Sequence, residues 1–147
     1  MHPYQLVKIN MKKKKENIIE VTNPVLQFIV FCDGVSVPDQ RGKVSFIGVF
    51  DKFLRPGVMP HFTIAIGWKN GRGDHKFKIR LLDPDLKQLL ESPDMDLHLK
   101  HETASARADL NIDGMNFPNA GVYWVEIILN GETVQSLPLP VESGATK

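Results

Sequence analysis

What most constrains this chain is a period-two alternation of apolar and polar side chains that returns in segment after segment. Phe62, Ile64, Ile66 and Trp68 alternate with Thr63, Ala65 and Gly67, and Phe77, Ile79 and Leu81 alternate with Lys76, Lys78 and Arg80. Successive side chains of an extended chain point to opposite faces, so the pattern demands strands with one face buried and the other wet. The rhythm continues in Met95, Leu97 and Leu99 against Asp94, Asp96, His98 and Lys100. It returns in Ala104, Ala106, Ala108, Leu110 and Ile112 against Ser105, Arg107, Asp109 and Asn111. Residues 24–32 and 43–50 add two runs rich in β-branched and aromatic side chains.

The links between these runs carry turn chemistry. Asn70, Gly71, Arg72 and Gly73 predict a hairpin that pairs the strand around 62–68 with the strand around 76–81. Asn130 and Gly131, flanked by 122–129 and 133–141, form the dipeptide that most readily adopts a type I′ turn, which predicts a closing hairpin. Pro138 and Pro140 cannot donate ladder hydrogen bonds, so that last strand is expected to lie at a sheet edge or to leave the sheet there. Asp83, Pro84 and Asp85 read as a turn leading into a short strand over 88–91. About eight strands with short links and little helix predict an all-β fold, a two-sheet antiparallel sandwich.

The apolar share, 42%, is too high for a disordered chain, and the total charge of +1 gives no field that would steer the molecule to a polyanion such as nucleic acid. Lys8 and Lys12 to Lys15 stand against Glu16 alone, which sets off residues 1–22 as a lysine-rich leader, flexible or packed on the sheet, from a single sandwich domain over 23–147. No aromatic residues interleave those lysines, as a base-stacking surface would require. The longest apolar stretch, 28–32, is far too short to cross a membrane, and a single cysteine without a signal-peptide pattern points to the reducing cytoplasm.

The run FCDGVSVPDQRGKVSFIGVFDKF, residues 31–53, resembles an uncharacterised, mainly bacterial family of small proteins. In that family a strand ending in Cys-Asp is followed by a polar loop, Gly-Lys and a second strand of the form V-S-x-I-G-V-F-D. Asp83, Pro84 and Asp85 resemble its Asp-Pro-Asp turn, and Gly121, Val122 and Tyr123 with Asn130, Gly131 and Glu132 resemble its closing hairpin. The likeness spans about 24–141 and departs at Leu86, where the family pattern more often has Gly. It implies an immunoglobulin-like β-sandwich and transfers no catalytic residue, cofactor or activity.

Read for chemistry, the residues offer few constellations. If consecutive strands run up and down, Asp51, Asp83, Asp85 and Asp113 fall in links at one end, where convergent carboxylates could hold Ca²⁺ or a small polar ligand. Solvated turn formers are the plainer reading of these aspartates. Asp109, Asn111, Asp113 and Gly114 match the first half of an EF-hand loop, yet Ala120 stands where its bidentate glutamate belongs, so a strand and turn fit better. His98 and His101 are three apart, which on a strand points them to opposite faces. Cys32 closes an apolar strand as a buried, inert thiol, and Arg72, Gly73 and Asp74 are expected at a solvated hairpin tip. No catalytic residue and no cofactor are expected.

The strongest functional signal is apolarity on both faces of two strands. If Leu26, Phe28 and Val30 face the core, then Val25, Ile29 and Phe31 point outward; likewise Tyr123, Val125, Ile127 and Leu129 oppose Val122, Trp124 and Ile128. Something must cover the second faces. A protein partner or a second copy could do so through Val25, Ile29, Phe31, Tyr123, Val125 and Ile127. The leader, with Leu6, Val7, Ile9, Ile18 and Ile19, or the 83–92 stretch could do it within the chain. The expectation is a non-enzymatic module that binds another protein or itself.

Overall fold

Alternation of this kind does produce strands. The computed structural model describes residues 21–37 and 42–144, and among these there is no helix. The strands are β1 (Val25–Cys32), β2 (Gly34–Ser36), β3 (Ser45–Ile47), β4 (Gly57–Lys69), β5 (Gly73–Leu82), β6 (Gln88–Glu91), β7 (Met95–Leu99), β8 (Ser105–Phe117), β9 (Gly121–Leu129) and β10 (Glu132–Val141). They form three antiparallel sheets. One has the order β1-β4-β8, the second runs β10-β9-β5 with β6 and β7 sharing the far side of β5, and β2-β3 make a small third. The leader over 1–20 lies outside the described residues.

The inward faces of the two larger sheets meet in one cluster. Phe62, Ile64, Ile66 and Trp68 from β4 pack with Phe77, Ile79 and Leu81 from β5 and with Tyr123, Val125 and Ile127 from β9. Ring pairs bind the sheets together: Trp68 and Phe77 lie 5.4 Å apart, and Phe117 meets the Tyr123 ring edge-on at 5.0 Å. Burying each such side chain contributes about 1.5–3 kcal/mol, more than any surface contact in this molecule can.

Three expectations are corrected. First, β4 and β5 are not a hairpin: β4 pairs with β1 and β8, and β5 with β6, β7 and β9. The reason lies at Gly71, where a Cβ would stand 2.6 Å from the backbone of Pro24. Beside it, Thr22 and Arg72 exchange both backbone hydrogen bonds, at 3.0 and 2.9 Å. The link is therefore paired to the chain before β1 and carries the polypeptide from one sheet to the other, so that Trp68 meets Phe77 across the core. Arg72 and Asp74 accordingly do not form a free tip. Second, β8 does not end at Asp113. Gly114 takes φ +67° inside the strand, pairing resumes at Met115 opposite Met59, and only 118–120 remain as a link.

Third, the phase of β1 reverses. The register slips between Leu26 and Phe28, so Gln27 is an extra residue, after which Ile29 and Phe31 turn toward the core and Phe28 and Val30 away from it. Other expectations stand. Asn130 (φ 51°) and Gly131 (φ 86°) close the β9–β10 hairpin, and the 83–87 turn leads into β6.

Candidate functional site

The residues expected to make an outward apolar face divide sharply. Val25 is half exposed, Ile29 packs against the core, and Phe31, Tyr123, Val125 and Ile127 are buried within it. The expectation of a partner surface on those last four is corrected: on β9 the phase that includes Tyr123 is the inner one, and its hydroxyl donates to the Asn119 carbonyl at 2.9 Å. The true outer face of β1 is covered by the small sheet. The Phe28 ring occupies the space where a Cβ of Gly67 would stand, and it packs on Phe46 of β3 at 5.4 Å. At Phe28 that cover is β3 and not the 83–92 stretch.

The outer face of the five-stranded sheet is ionic. Across it Lys76 bonds Asp96 at 2.5 Å, Lys78 and Arg80 reach Glu91 at 3.2 and 3.1 Å, Arg80 also reaches Glu126 at 3.2 Å, and His98 pairs with Asp74. These pairs keep the Lys76 and Arg80 cations charged above their ordinary range and hold the Glu91 carboxyl below its own. A depression of about 830 Å³ lies among Asp74, Lys76, Asp96, His98 and Ile128. Lys76, Asp96, Asp74 and His98 are paired within it, which leaves Asp94 on its rim as the charge in no ion pair among the described residues.

On the outer face of the three-stranded sheet a row of polar groups has the outline of a nucleophilic triad. His61 donates from Nδ1 to Asp113 Oδ1 at 2.6 Å, and its Nε2 lies 3.4 Å from Thr63 Oγ1. The hydroxyl, however, gives its proton to Asn111 Oδ1 at 2.8 Å, and Thr63 is only 1% exposed. A nucleophile needs both access and a base that takes its proton; Thr63 has neither. Cys32, on the same face, is fully buried, and that burial pushes its thiol pKa up, away from reactivity.

The aspartates are not convergent. The 51–56 segment, Pro84 and Gly121 do share one end of the molecule: the Phe53 ring stacks near Phe117 at 5.1 Å and Pro84 sits against Gly121. But one Asp83 oxygen is spent on the amides of Asp85 and Lys87, both at 2.8 Å, while Asp113 lies on the sheet beside His61. Among the described residues no group of three or more His, Cys, Asp and Glu is placed to hold a metal ion. Nor is any helix long and apolar enough to cross a membrane.

What remains is an edge that the sequence reading missed. β8 is thirteen residues long and pairs on one side with β4, from Gly57 opposite Phe117 to Lys69 opposite Ser105. Its other side has no strand partner among the described residues. An unpaired strand side presents alternate N–H and C=O groups, each a ready hydrogen-bonding site. Its inward side chains are also incompletely covered: Ala106, Ala108 and Leu110 are half buried, whereas their β4 neighbours Ile64, Ile66 and Trp68 are 1% exposed or less. The sequence carried no signal for it: proline marks the strand over 132–141 as an edge, whereas β8 holds none and only the sheet order places it at one.

The other edges are blunted. β10 carries Pro138 and Pro140, and at its end Phe53 donates to the Pro140 carbonyl while Glu142 donates to that of Phe53, both at 2.9 Å. β6 and β7 are four and five residues long, with Pro93 between them. β1 is broken by its bulge and closed at its end by Phe50, which donates to the Phe31 carbonyl at 2.9 Å. Proline, brevity and bulges are among the usual protections of an edge, and over 105–113, before Gly114, β8 has none of them.

No curated protein matches the chain. A family profile does, over most of its length and over nearly all of the strands described above, and that family carries no assigned function. Over residues 27–142 the chain belongs to the family of unknown function DUF6941.

Proposed function

We propose that this domain is a non-catalytic protein-binding module that docks its partner by strand addition along β8. The observation that supports it is the coincidence, on one strand, of an unpaired backbone edge and a half-covered apolar seam formed by Ala106, Ala108 and Leu110. A strand added there would satisfy the backbone groups and cover the seam at once, which is how β-augmentation obtains affinity from main-chain bonds and specificity from alternate side chains. The paired charges of the five-stranded sheet and the buried hydroxyl of Thr63 favour this reading over a ligand pocket or a hydrolytic centre.

The scaffold behind that edge is a two-sheet sandwich of immunoglobulin-like type. It is supported by the single core between the two larger sheets, and by Tyr123, whose hydroxyl bonds back to the backbone four residues upstream as in the tyrosine corner of such folds. A cytoplasmic setting suits the single buried thiol.

The test is to compare binding of a captured partner by wild type, by Leu110→Lys on the edge and by Asp96→Ala on the ionic face. The reading expects Leu110→Lys to abolish binding with the fold retained, and Asp96→Ala to leave it intact. Equal binding by all three overturns it.

A further inference from the structure

Resting on that docking-edge reading, we infer that the strand added to β8 is β8 of a second copy, paired antiparallel about a two-fold axis at Leu110. Two physical conditions restrict how β8 can pair with itself. The backbone groups that point away from β4 belong to alternate residues, and side chains of paired residues share a face. Both require that paired positions have the same parity, so the axis must pass through a residue rather than between two.

Charge then selects the residue. The outer row of β8 reads Ser105, Arg107, Asp109, Asn111 and Asp113; at Gly114, φ +67°, the phase reverses and Met115 packs against the core. An axis at Asp109 sets that carboxylate against its own copy, and an axis at Asn111 sets Asp109 against the partner's Asp113; both juxtapose like charges. An axis at Leu110 sets Arg107 against the partner's Asp113 twice over and Asp109 against the partner's Asn111. On the inner row it sets Ala108 against the partner's Ile112, and Leu110 against itself. An axis at Ala108 also pairs opposite charges, Arg107 with the partner's Asp109. It leaves Asp113 with no opposite charge and sets Ala108 against itself, whereas the axis at Leu110 pairs Asp113 with Arg107 and brings the larger side chains, Leu110 and Ile112, into the seam.

Arg107 is free to turn to the partner. Its present contact is its own neighbour but one, Asp109, at 3.4 Å, and one Asp109 oxygen, Oδ1, is buried without a hydrogen-bond partner. Asp113 stays beside His61 with its side chain about three-quarters exposed, so it can accept Arg107 without surrendering that bond. The product is a continuous six-stranded sheet, β1-β4-β8 running on into the partner's β8-β4-β1, with no long open edge left.

The experiment is sedimentation of the full chain over a concentration series, joined to cysteine cross-linking under mild oxidation. Wild type is expected to dimerise. Arg107→Asp is expected to weaken the dimer about tenfold through like charges set opposite each other, and Arg107→Asp with Asp113→Arg to restore it. Leu110→Cys is expected to cross-link, whereas Ala108→Cys is not, because the two copies of residue 108 are offset by about 13 Å along the strands. A dimer that cross-links through 108 and not 110 overturns the register. A monomer at every concentration whose alternate β8 amides exchange fast overturns the second copy as occupant and leaves the docking edge standing. A monomer in which all β8 amides are protected overturns both.

Discussion

The molecule has two long edge strands, β8 and β10, and they are built on opposite plans. Each pairs on one side with a central strand of its sheet and contributes alternate side chains to the common core. β10 buries Leu139 and Val141 to 2% exposure or less and interrupts its free side with Pro138 and Pro140. β8 buries Ile112 and Phe117 toward its end but leaves Ala106, Ala108 and Leu110 half covered over its first half, and it keeps every N–H along its thirteen residues. An edge that is finished inwardly and blocked outwardly serves stability alone. One that is unfinished in both respects fits a strand that is completed by another chain.

The comparison breaks most readily at the leucines. Leu139→Ala removes a fully buried side chain and is expected to cost about 3 kcal/mol, while Leu110→Ala, half exposed in the isolated chain, is expected to cost about 1 kcal/mol. Urea unfolding at a concentration where the protein is monomeric checks both. Equal losses would mean that β8 is as well buried as β10 and that nothing need complete it.

The far side of the five-stranded sheet sharpens the contrast. β6 is entered through a turn in which Leu86, 63% exposed, holds φ +68°, a left-handed conformation costing a non-glycine residue about 1–2 kcal/mol. Leu86→Gly relieves that strain, loses only the minor buried part of the side chain and gives back part of the gain as backbone entropy. The expected result is a stabilisation of about 1 kcal/mol, read as a higher urea midpoint with unchanged slope. A strained but complete edge gains by such a change, whereas no glycine substitution along β8 is expected to stabilise the monomer.

Pro138→Thr tests the blocking role of proline. It restores one N–H on an exposed stretch of β10 and is expected to shift stability by only about 0.5 kcal/mol, yet to add concentration-dependent association through β10. Light scattering of this variant in an Arg107→Asp background separates the new association from any through β8.

The smallest effect concerns pH. Hydrogen bonds from Lys78 and then Arg80 hold the Glu91 carboxyl below its ordinary range. A depressed carboxyl contributes stability above its unfolded-state pKa and loses it as pH falls through its folded-state pKa. Glu91→Gln is therefore expected to lower the neutral plateau slightly, to leave the acid end where it is so that the acid limb is flatter, and to leave any β8-mediated association unchanged.

How much of this was legible depends on how far each cause lies along the chain. The turn at Asn130 and Gly131 is local chemistry, and it appears where the dipeptide predicts. The alternation in β4, β5 and β9 identifies strands, and its inner phase on β4 and β5 is the one that holds Trp68 and Phe77 together. The link at Asn70 to Gly73 has hairpin composition, yet Thr22 and Pro24, about fifty residues earlier, decide that it crosses between sheets. One inserted residue, Gln27, reverses the inner and outer roles along β1, and no single-strand pattern reveals a bulge whose partner is forty residues away. The docking edge was half legible: proline marks β10 as an edge, but that β8 is one too follows only from sheet order.

The most direct test of the account is residue-resolved amide hydrogen exchange along β8 at two protein concentrations, one low enough to hold the chain monomeric and one high. In the dilute sample every second amide from Ala106 to Asp113, bonded to β4, is expected to exchange slowly and the intervening ones at least about tenfold faster; at high concentration the fast set is expected to slow. Uniform protection in the dilute sample, unchanged on concentration, would show that the edge is already occupied within one chain and would contradict the account.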